Sequence, residues 1–212
     1  MTEMAADLFG QSRKLVVPCG ADPAMRSTFL DLRPAGGFDL IMADPPWSYE
    51  MYSDAGYEKS PDAHYDTMPL DQIMAMPVEV LAARDCLLWL WAVGPMLPQA
   101  LAVLDAWGFS YCTSGHWVKQ TKNGKQTFGT GYVLRNAGEP FLIAKRRSPK
   151  TTKSTRNTIF GLARDHSRKP EECYVAAEKL MPDAKRLDLF SRQERAGWSN
   201  WGRERTKFGA AP

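Results

Sequence analysis

The sequence lacks the short motifs that mark several common classes of enzyme. It contains no G-x-G-x-x-G and no G-x-x-x-x-G-K-[ST], so the phosphate-binding loops of standard dinucleotide-binding and P-loop proteins are missing. The G-x-S-x-G motif of α/β-hydrolases is absent as well. The chain therefore gives no support to these three classes.

Potential metal ligands are few and scattered. Three histidines and four cysteines occur among 212 residues, with no H-E-x-x-H motif and no closely spaced pair of cysteines. We therefore expect neither structural zinc nor metal-dependent hydrolysis, and no metal site. The cysteines are expected to be reduced thiols, as in a cytosolic protein.

Long hydrophobic segments are missing too. No apolar run approaches the roughly 20 residues of a membrane span, and the first residues carry acids where a secretory signal has an apolar core. We expect no membrane association and a cytoplasmic location. We also expect one α/β domain over residues 1–212, with flexible ends at about 1–12 and 206–212.

Charge is present in quantity but unevenly distributed. Residues 119–169 contain 13 Lys or Arg and two acids, a local net charge of +11, which leaves −8 for the rest of a chain whose net charge is +3. A basic third of this kind is typical of proteins that bind polyanions, although a solvated loop is the alternative. The candidate phosphate-binding residues are Lys122, Lys125, Arg146, Arg147, Lys150, Lys153 and Arg156.

A strand-length apolar run ends at the motif Asp44-Pro45-Pro46-Trp47. Residues 38–43 are mostly apolar, which predicts a buried parallel strand, and two prolines end its hydrogen-bond ladder. Asp44 then lies at the carboxyl end of a strand, where open α/β sheets bind ligands. The carboxylate and an unpaired proline carbonyl could each accept a hydrogen from a planar amine such as adenine, with Trp47 stacked on the ring. The alternative is a proline turn with a core tryptophan.

Apolar runs and helical spacings alternate along the chain. We predict strands at residues 15–17, 38–43, 86–91, 109–112, 116–119, 141–144 and 186–190. We predict helices at residues 22–32, 69–83, 95–107 and 170–181, and loops at 48–66 and 145–168. This alternation predicts a mostly parallel, doubly wound α/β sheet.

Residues 38–204 carry a series of motifs in an order that resembles the adenine-N6 methyltransferase family, which includes the catalytic subunit of the messenger-RNA adenosine methyltransferase. The segments that carry the resemblance are 43–47, 64–68, 87–91, 117–119, 129–132, 136–139, 166–170 and 187–192. The resemblance implies a Rossmann-like methyltransferase fold with permuted motif order, in which the catalytic motif precedes the main cofactor motif. It also implies S-adenosylmethionine as the cofactor.

The resemblance also assigns roles to individual residues. It places Asp44, Pro45, Pro46 and Trp47 in the catalytic motif, and Tyr65 and Glu139 near the acceptor base. It implies cofactor contacts for Asp44, Lys169, Arg192, Glu194, Arg195, Arg203 and Glu204. At the last two pairs the sequence departs from the eukaryotic relatives, which carry His-Asn and Asn-Gln there.

Two of these residues have simpler interpretations. Tyr65 could only anchor the loop that follows the catalytic motif, and Lys169 could be a solvated lysine. Lys169 precedes a predicted helix, however, where a cation opposes the helix dipole, so we infer an anionic ligand nearby.

The function implied is S-adenosylmethionine-dependent methylation of adenine N6 in DNA. A chain of 212 residues leaves no room for the targeting domains of the eukaryotic relatives, which favours a bacterial or phage protein and therefore DNA. RNA adenosine-N6 methylation and a catalytically silent, nucleic-acid-binding partner subunit are the alternatives. The intact catalytic motif argues against the silent subunit. We expect a monomer or a homodimer.

Overall fold

The computed structural model describes residues 22–48, 67–129, 131, 133–164 and 168–209. The predicted strand at 15–17, Tyr65 and most of the predicted loop 48–66 lie outside the described residues.

The described residues form seven strands and four α-helices. The strands are β1 (Phe38–Ala43), β2 (Ala82–Trp91), β3 (Ser110–Gln120), β4 (Gly138–Arg146), β5 (Thr158–Leu162), β6 (Arg186–Leu189) and β7 (Trp198–Trp201). The helices are α1 (Pro23–Leu32), α2 (Leu70–Ala75), α3 (Leu97–Ala106) and α4 (Glu171–Leu180), with 3-10 turns at Val78–Val80 and Gly94–Met96. None of the helices described has the length and apolar character that crossing a membrane requires.

All seven strands belong to one sheet in the order β5-β3-β4-β2-β1-β6-β7. Only β4 runs antiparallel to its neighbours β2 and β3, and the other pairings are parallel. Apolar side chains of α1, α2 and α3 pack on one face of the sheet, and those of α4 pack on the other. The predicted doubly wound, Rossmann-like α/β architecture is confirmed.

The direction in which the chain crosses the sheet reverses between β1 and β6. From β1 the chain passes through α2 to β2 on one side, whereas from β6 it continues to β7 on the other. The carboxyl ends of β1 and β6 therefore bound a crevice at a topological switch point, where open α/β sheets bind ligands. Ala43 pairs with Leu189, so Asp44 and Phe190 are the first residues beyond the paired strands.

Several predicted elements have different bounds in the structure. Helix α2 ends at Ala75, because Pro77 has no N–H and restricts the residue before it. The two predicted strands at 109–119 form one strand, β3, with an irregularity between Tyr111 and Thr113. The predicted loop 145–168 is wrong at residues 158–162, where β5 pairs with β3. Strand β7 was not predicted, because W-S-N-W is short and half polar.

Part of the predicted flexible end packs against the crevice. The Phe208 N–H donates to the Arg192 carbonyl at 3.2 Å, and the Arg168 guanidinium lies 5.2 Å from the centre of the Phe208 ring. Phe208 also lines the crevice. The flexibility of residues 1–12 and 206–212 stays a prediction.

The turn before β1 should tolerate a side chain at one glycine and not at the next. Gly36 and Gly37 both have left-handed backbones, with φ of 83° and 85°. A Cβ on Gly37 would lie 2.6 Å from the Ala83 nitrogen, whereas at Gly36 the nearest atom, Lys185 Nζ, is 3.7 Å away. We expect Gly36→Ala to lower the free energy of unfolding by about 1 kcal/mol and Gly37→Ala by about 2–4 kcal/mol, because the backbone clash adds to the strain. Urea unfolding measures both, and equal losses would contradict the clash.

Candidate active site

A buried lysine connects the catalytic motif to a neighbouring strand. Lys169 Nζ lies 2.8 Å from Asp44 Oδ2 and 2.9 Å from Glu139 Oε2. Lys119 Nζ lies 2.6 Å from the other oxygen of Glu139. The Lys169 side chain is 9% exposed, and its Nζ lies 5.1 Å from the centre of the Trp91 ring. Two lysines and two carboxylates thus form an ionic cluster without net charge.

Four elements bring this ionic cluster to the carboxyl edge of the sheet. Asp44 follows β1, Lys119 lies near the end of β3, and Glu139 lies at the start of β4. Lys169 precedes the residue that caps α4. The sequence predicted Asp44, Glu139 and Lys169 as site residues, but it predicted an anionic ligand beside Lys169. The structure places two protein carboxylates beside Lys169, and an anionic ligand near it stays a prediction.

The environment shifts the pKa values of the cluster in different directions. Burial and the Glu139 charge raise the pKa of Asp44, and Lys169 opposes them. Burial would also raise the pKa of Glu139, but Lys169 and Lys119 outweigh it and lower that pKa to about 2. Burial disfavours the charged form of Lys169, yet the two carboxylates raise its pKa above the usual value. Lys169 and Glu139 are therefore charged at neutral pH.

The carbonyl groups of both prolines in the catalytic motif accept hydrogen bonds from the protein backbone. The Pro45 carbonyl accepts a hydrogen bond from the Trp47 N–H at 2.8 Å, and the Pro46 carbonyl accepts one from the Met68 N–H at 2.9 Å. The expectation of unpaired proline carbonyls is therefore wrong. A carbonyl oxygen has two lone pairs, so Pro45 can still accept a second hydrogen bond.

Trp47 lies in the core of the protein. Its side chain is 3% exposed and packs in the cluster that includes residues of α2 and α3. The indole N–H donates to the Trp91 carbonyl at 3.1 Å. The structure thus shows the core tryptophan that the sequence left as the alternative, and it gives no support to stacking of Trp47 on a base. Trp47 instead ties the end of the motif to the end of β2.

The crevice between β1 and β6 is lined by residues of both charges and by aromatic rings. The lining residues are Asp44, Trp91, Arg168, Lys169, Tyr174, Asp188, Phe190, Ser191, Arg192, Gln193 and Phe208. A zwitterionic amino acid with an apolar body needs a cation, a carboxylate and an apolar wall. Arg192, Asp188 and Phe190 supply one of each. The donor set therefore fits the methionine part of S-adenosylmethionine.

A strained turn follows β6 where it borders this crevice. Phe190 has a left-handed backbone with φ of 68°, which is uncommon for a bulky residue. A Cβ on Gly202 would lie 2.6 Å from the Ser191 carbonyl oxygen, so the segment after β7 approaches this turn closely. Such strain is typical of ligand-binding sites that the surrounding structure holds in place.

Four predicted cofactor residues do not line the crevice. Glu194 and Arg203 are exposed. Arg195 forms an ion pair with Glu171, and its guanidinium lies 4.2 Å from the centre of the Tyr174 ring. Glu204 forms an ion pair with Arg192 at 3.2 Å, so it can orient a crevice residue without lining the crevice itself. Direct cofactor contacts by these four residues therefore stay predictions without support from the geometry.

Asp188, Tyr174 and Gln193 were not predicted as site residues. Asp188 is 5% exposed and accepts a hydrogen bond from the Tyr174 hydroxyl at 2.9 Å. Gln193, 4% exposed, accepts a hydrogen bond from Arg168 at 3.1 Å. An acid inside the otherwise apolar strand β6 was a signal for Asp188, because buried carboxylates need a partner.

The basic third of the sequence is divided between opposite edges of the sheet. Lys122 and Lys125 lie just beyond β3, at the carboxyl edge that holds the ionic cluster. Arg146 ends β4 opposite Cys86, whereas Phe141 pairs with Trp91. The five residue steps from Phe141 to Arg146 span roughly 16 Å of strand.

The remaining basic candidates follow the same division. Arg147 comes directly after β4 at the amino edge, and Thr152 binds the last turn of α4, which places Lys150 and Lys153 near that edge. Arg156 lies just before β5, which is the outermost strand on one side of the sheet. These cations therefore do not form a single patch, and their contacts with phosphates stay a prediction.

Asp188 should make stability depend on pH. Burial raises the pKa of Asp188 to about 7, with the Tyr174 hydroxyl opposing the shift. The unfolded pKa is about 3.9. Between about pH 4 and pH 7, Asp188 is therefore protonated in the folded protein and ionised in the unfolded chain. Stability should therefore fall from about pH 4 to about pH 7, by on the order of 3 kcal/mol.

Asp188→Asn should remove most of this slope, because an amide does not titrate and can still accept a hydrogen bond from Tyr174. Asp183→Asn, which alters an exposed carboxylate, should keep the slope. Chemical unfolding across this pH range measures it, and parallel curves for the wild type and Asp188→Asn would contradict the assignment.

Comparison with known proteins places the chain among methyltransferases. Residues 38–204 match the family model MT-A70. The N(6)-adenosine-methyltransferase MT-A70-like protein of Arabidopsis thaliana is 31% identical over 185 residues, which cover 85% of this chain and 25% of the relative. The type II methyltransferase M.MunI of Mycoplasma sp is 29% identical over 189 residues, which cover 81% of this chain and 79% of the relative.

Human METTL4, an N(6)-adenine-specific methyltransferase, is 29% identical over 189 residues that cover 81% of this chain and 38% of that protein. The chain thus spans a quarter of the plant relative and most of the Mycoplasma relative. The family match begins at β1 and extends beyond β7, so it includes the whole sheet and the ionic cluster. The chain belongs to the MT-A70 family.

Proposed function

We propose that this chain is an S-adenosylmethionine-dependent methyltransferase that methylates adenine N6 in DNA. One observation carries the proposal: Asp44 stands at the switch-point crevice with one carboxylate oxygen bound by Lys169. In the part of the chain that the structure describes, Asp44 Oδ1 has no hydrogen-bond partner. An exocyclic amine could therefore donate a hydrogen to this oxygen without displacing the lysine.

Asp44 and Pro45 would prepare the amine for reaction. The lone pair of adenine N6 is delocalised into the ring, so the nitrogen is a poor nucleophile. Hydrogen bonds from N6 to Asp44 Oδ1 and to the second lone pair of the Pro45 carbonyl favour a pyramidal nitrogen with a localised lone pair. When bound, S-adenosylmethionine would supply an electrophilic methyl group, whose C–S bond would break as the C–N bond forms and leave a neutral thioether. Arg192 and Asp188 would hold its amino-acid end in the crevice.

The fixed carboxylate would stabilise the transition state more than the ground state. Positive charge develops on N6 as the new C–N bond forms, and Asp44 already lies beside it. Lys169 holds the other oxygen of Asp44, which restricts rotation of the carboxylate and supports alignment of the reacting atoms. The methylated nitrogen then releases a proton, which Asp44 can accept. In a duplex, the adenine must leave the base stack to reach this site.

DNA is the first candidate because the relative of similar size is a type II methyltransferase and not an adenosine methyltransferase. The chain covers 79% of M.MunI and only 25% of the plant adenosine methyltransferase. RNA adenosine methylation is the second candidate, supported by the 31% identity to that plant protein. A silent partner subunit receives no support from the intact ionic cluster at Asp44.

Replacement of Asp44 tests the mechanism. We expect Asp44→Asn to lower the rate of methyl transfer by about 10²–10³-fold, because the amide carries no charge opposite the developing cation. The fold should survive, since Lys169 keeps Glu139 as a partner. Asp31→Asn, an exposed carboxylate on α1, is the matched control and should keep full activity.

The assay measures transfer of labelled methyl groups from S-adenosylmethionine to duplex DNA, single-stranded DNA and RNA. Calorimetric binding of the cofactor separates an active enzyme from a silent subunit, which should bind it weakly. Activity of Asp44→Asn within tenfold of the wild type would refute the role of Asp44. Labelling of RNA alone would replace DNA by the second candidate.

A further inference from the structure

A second groove lies at the amino edge of the sheet, opposite the candidate active site. Its walls are α1, the 3-10 turn after α2, the start of β2 and the end of β4, and its volume is about 540 Å³. The lining residues are Arg26, Leu30, Arg33, Glu79, Val80, Ala82, Arg84, Arg146 and Arg147. We call this feature the arginine groove.

The arginine groove contains five guanidinium groups and a single carboxylate. Glu79 Oε1 lies 3.1 Å from Arg26 Nη1, and the Glu79 backbone carbonyl accepts a hydrogen bond from Arg146 at 2.9 Å. A carbonyl orients the guanidinium of Arg146 but leaves its charge uncompensated. Within the described ranges, Arg33, Arg84 and Arg147 have no acidic partner. Four positive charges therefore face the groove without a counter-charge.

The backbone beside the groove is held in an uncommon conformation. Arg147 has a left-handed backbone with φ of 57°, a region that arginine rarely adopts. The next N–H, that of Ser148, donates to Asp85 Oδ1 at 3.0 Å. This bond uses the nearby carboxylate to fix the loop, so Asp85 helps to place Arg147 at the groove.

Clustered like charges repel one another and oppose folding unless an anion binds between them. Guanidinium groups suit anions with several oxygens, such as phosphate and carboxylate, because their planar forks bind two oxygens in a bidentate manner. The five arginines lie in or directly after three elements, α1, the start of β2 and the end of β4, and this spread of charge fits a chain of anionic groups better than a single anion. These features point to a polyanion.

We propose that the arginine groove is a second binding site for the phosphate backbone of nucleic acid. The inference rests on the proposed function for the identity of the polyanion. Strand β2 separates the groove from the crevice by nine residue steps, from Ala82 to Trp91, or roughly 30 Å. The groove therefore holds a part of the nucleic acid that is remote from the target adenine. It contacts phosphates and reads no sequence.

Removal of two arginines tests this site. Arg33→Gln/Arg84→Gln removes two positive charges that line the groove and lack acidic partners among the described residues. Lys145→Gln/Lys179→Gln removes the same charge from exposed positions outside the groove. Fluorescence anisotropy measures the affinity of each protein for a long DNA duplex and a long RNA duplex over a range of salt concentrations.

We expect the groove variant to bind roughly tenfold more weakly at moderate salt, with a slope of log K against log salt that is shallower by about 2. The control variant should change both values much less. The melting temperature of the groove variant should equal or exceed that of the wild type, because repulsion is relieved. Weaker binding of only one of the two duplexes would support the site and would show whether it binds DNA or RNA.

Equal changes in the two variants, or no change in the groove variant, would overturn the proposal. These readouts do not depend on methyl transfer. A groove-dependent salt slope in a protein that methylates nothing would refute the proposed function and keep the second site. Methylation by a protein without a groove-dependent salt slope would support the proposed function and refute the second site.

Discussion

The ion pairs of Lys169 connect the parts of the active site to one another. Lys169 Nζ contacts both Asp44 and Glu139, which come from the end of β1 and the start of β4. Removing one partner of a buried ion pair typically costs about 3–5 kcal/mol, because a charge is left uncompensated. The geometry of the site therefore depends on β1, on β4 and on the segment before α4 that carries Lys169. This explains why a carboxylate can remain in the crevice although burial raises its pKa.

The direction of β4 decides where the basic residues lie. Because β4 is antiparallel, it carries the chain from the carboxyl edge at Glu139 to the amino edge at Arg146. Strand β5 then carries the chain back to the carboxyl edge, where Lys169 enters the ionic cluster. A single basic segment of sequence is thus distributed over two surfaces. Charge counts along a chain locate polyanion binding only when the strand directions are known.

Local signals allowed the sequence to predict part of this arrangement. The apolar run before Asp44 and the two prolines after it predicted both β1 and the position of the carboxylate, and the structure confirms both. The partners of Lys169 depend on contacts between β1, β4 and the segment before α4, so no local pattern indicated them. The same limit applies to Trp47, because the sequence is compatible both with stacking of its indole ring on a base and with packing of the ring in the core. Its hydrogen bond to Trp91, 44 residues away, places it in the core.

Charge neutrality at the ionic cluster has a consequence for binding. Without their lysine partners, Asp44 and Glu139 would repel the phosphates of a nucleic acid that approaches the crevice. Lys169 and Lys119 cancel this repulsion at distances of 2.6–2.9 Å. The ionic cluster itself then contributes little net attraction, so attraction must come from cations outside it. Lys122 and Lys125 stand at the same edge, and the arginine groove stands at the other. The fold thereby separates the groups that would perform the chemistry from those that would hold the polyanion.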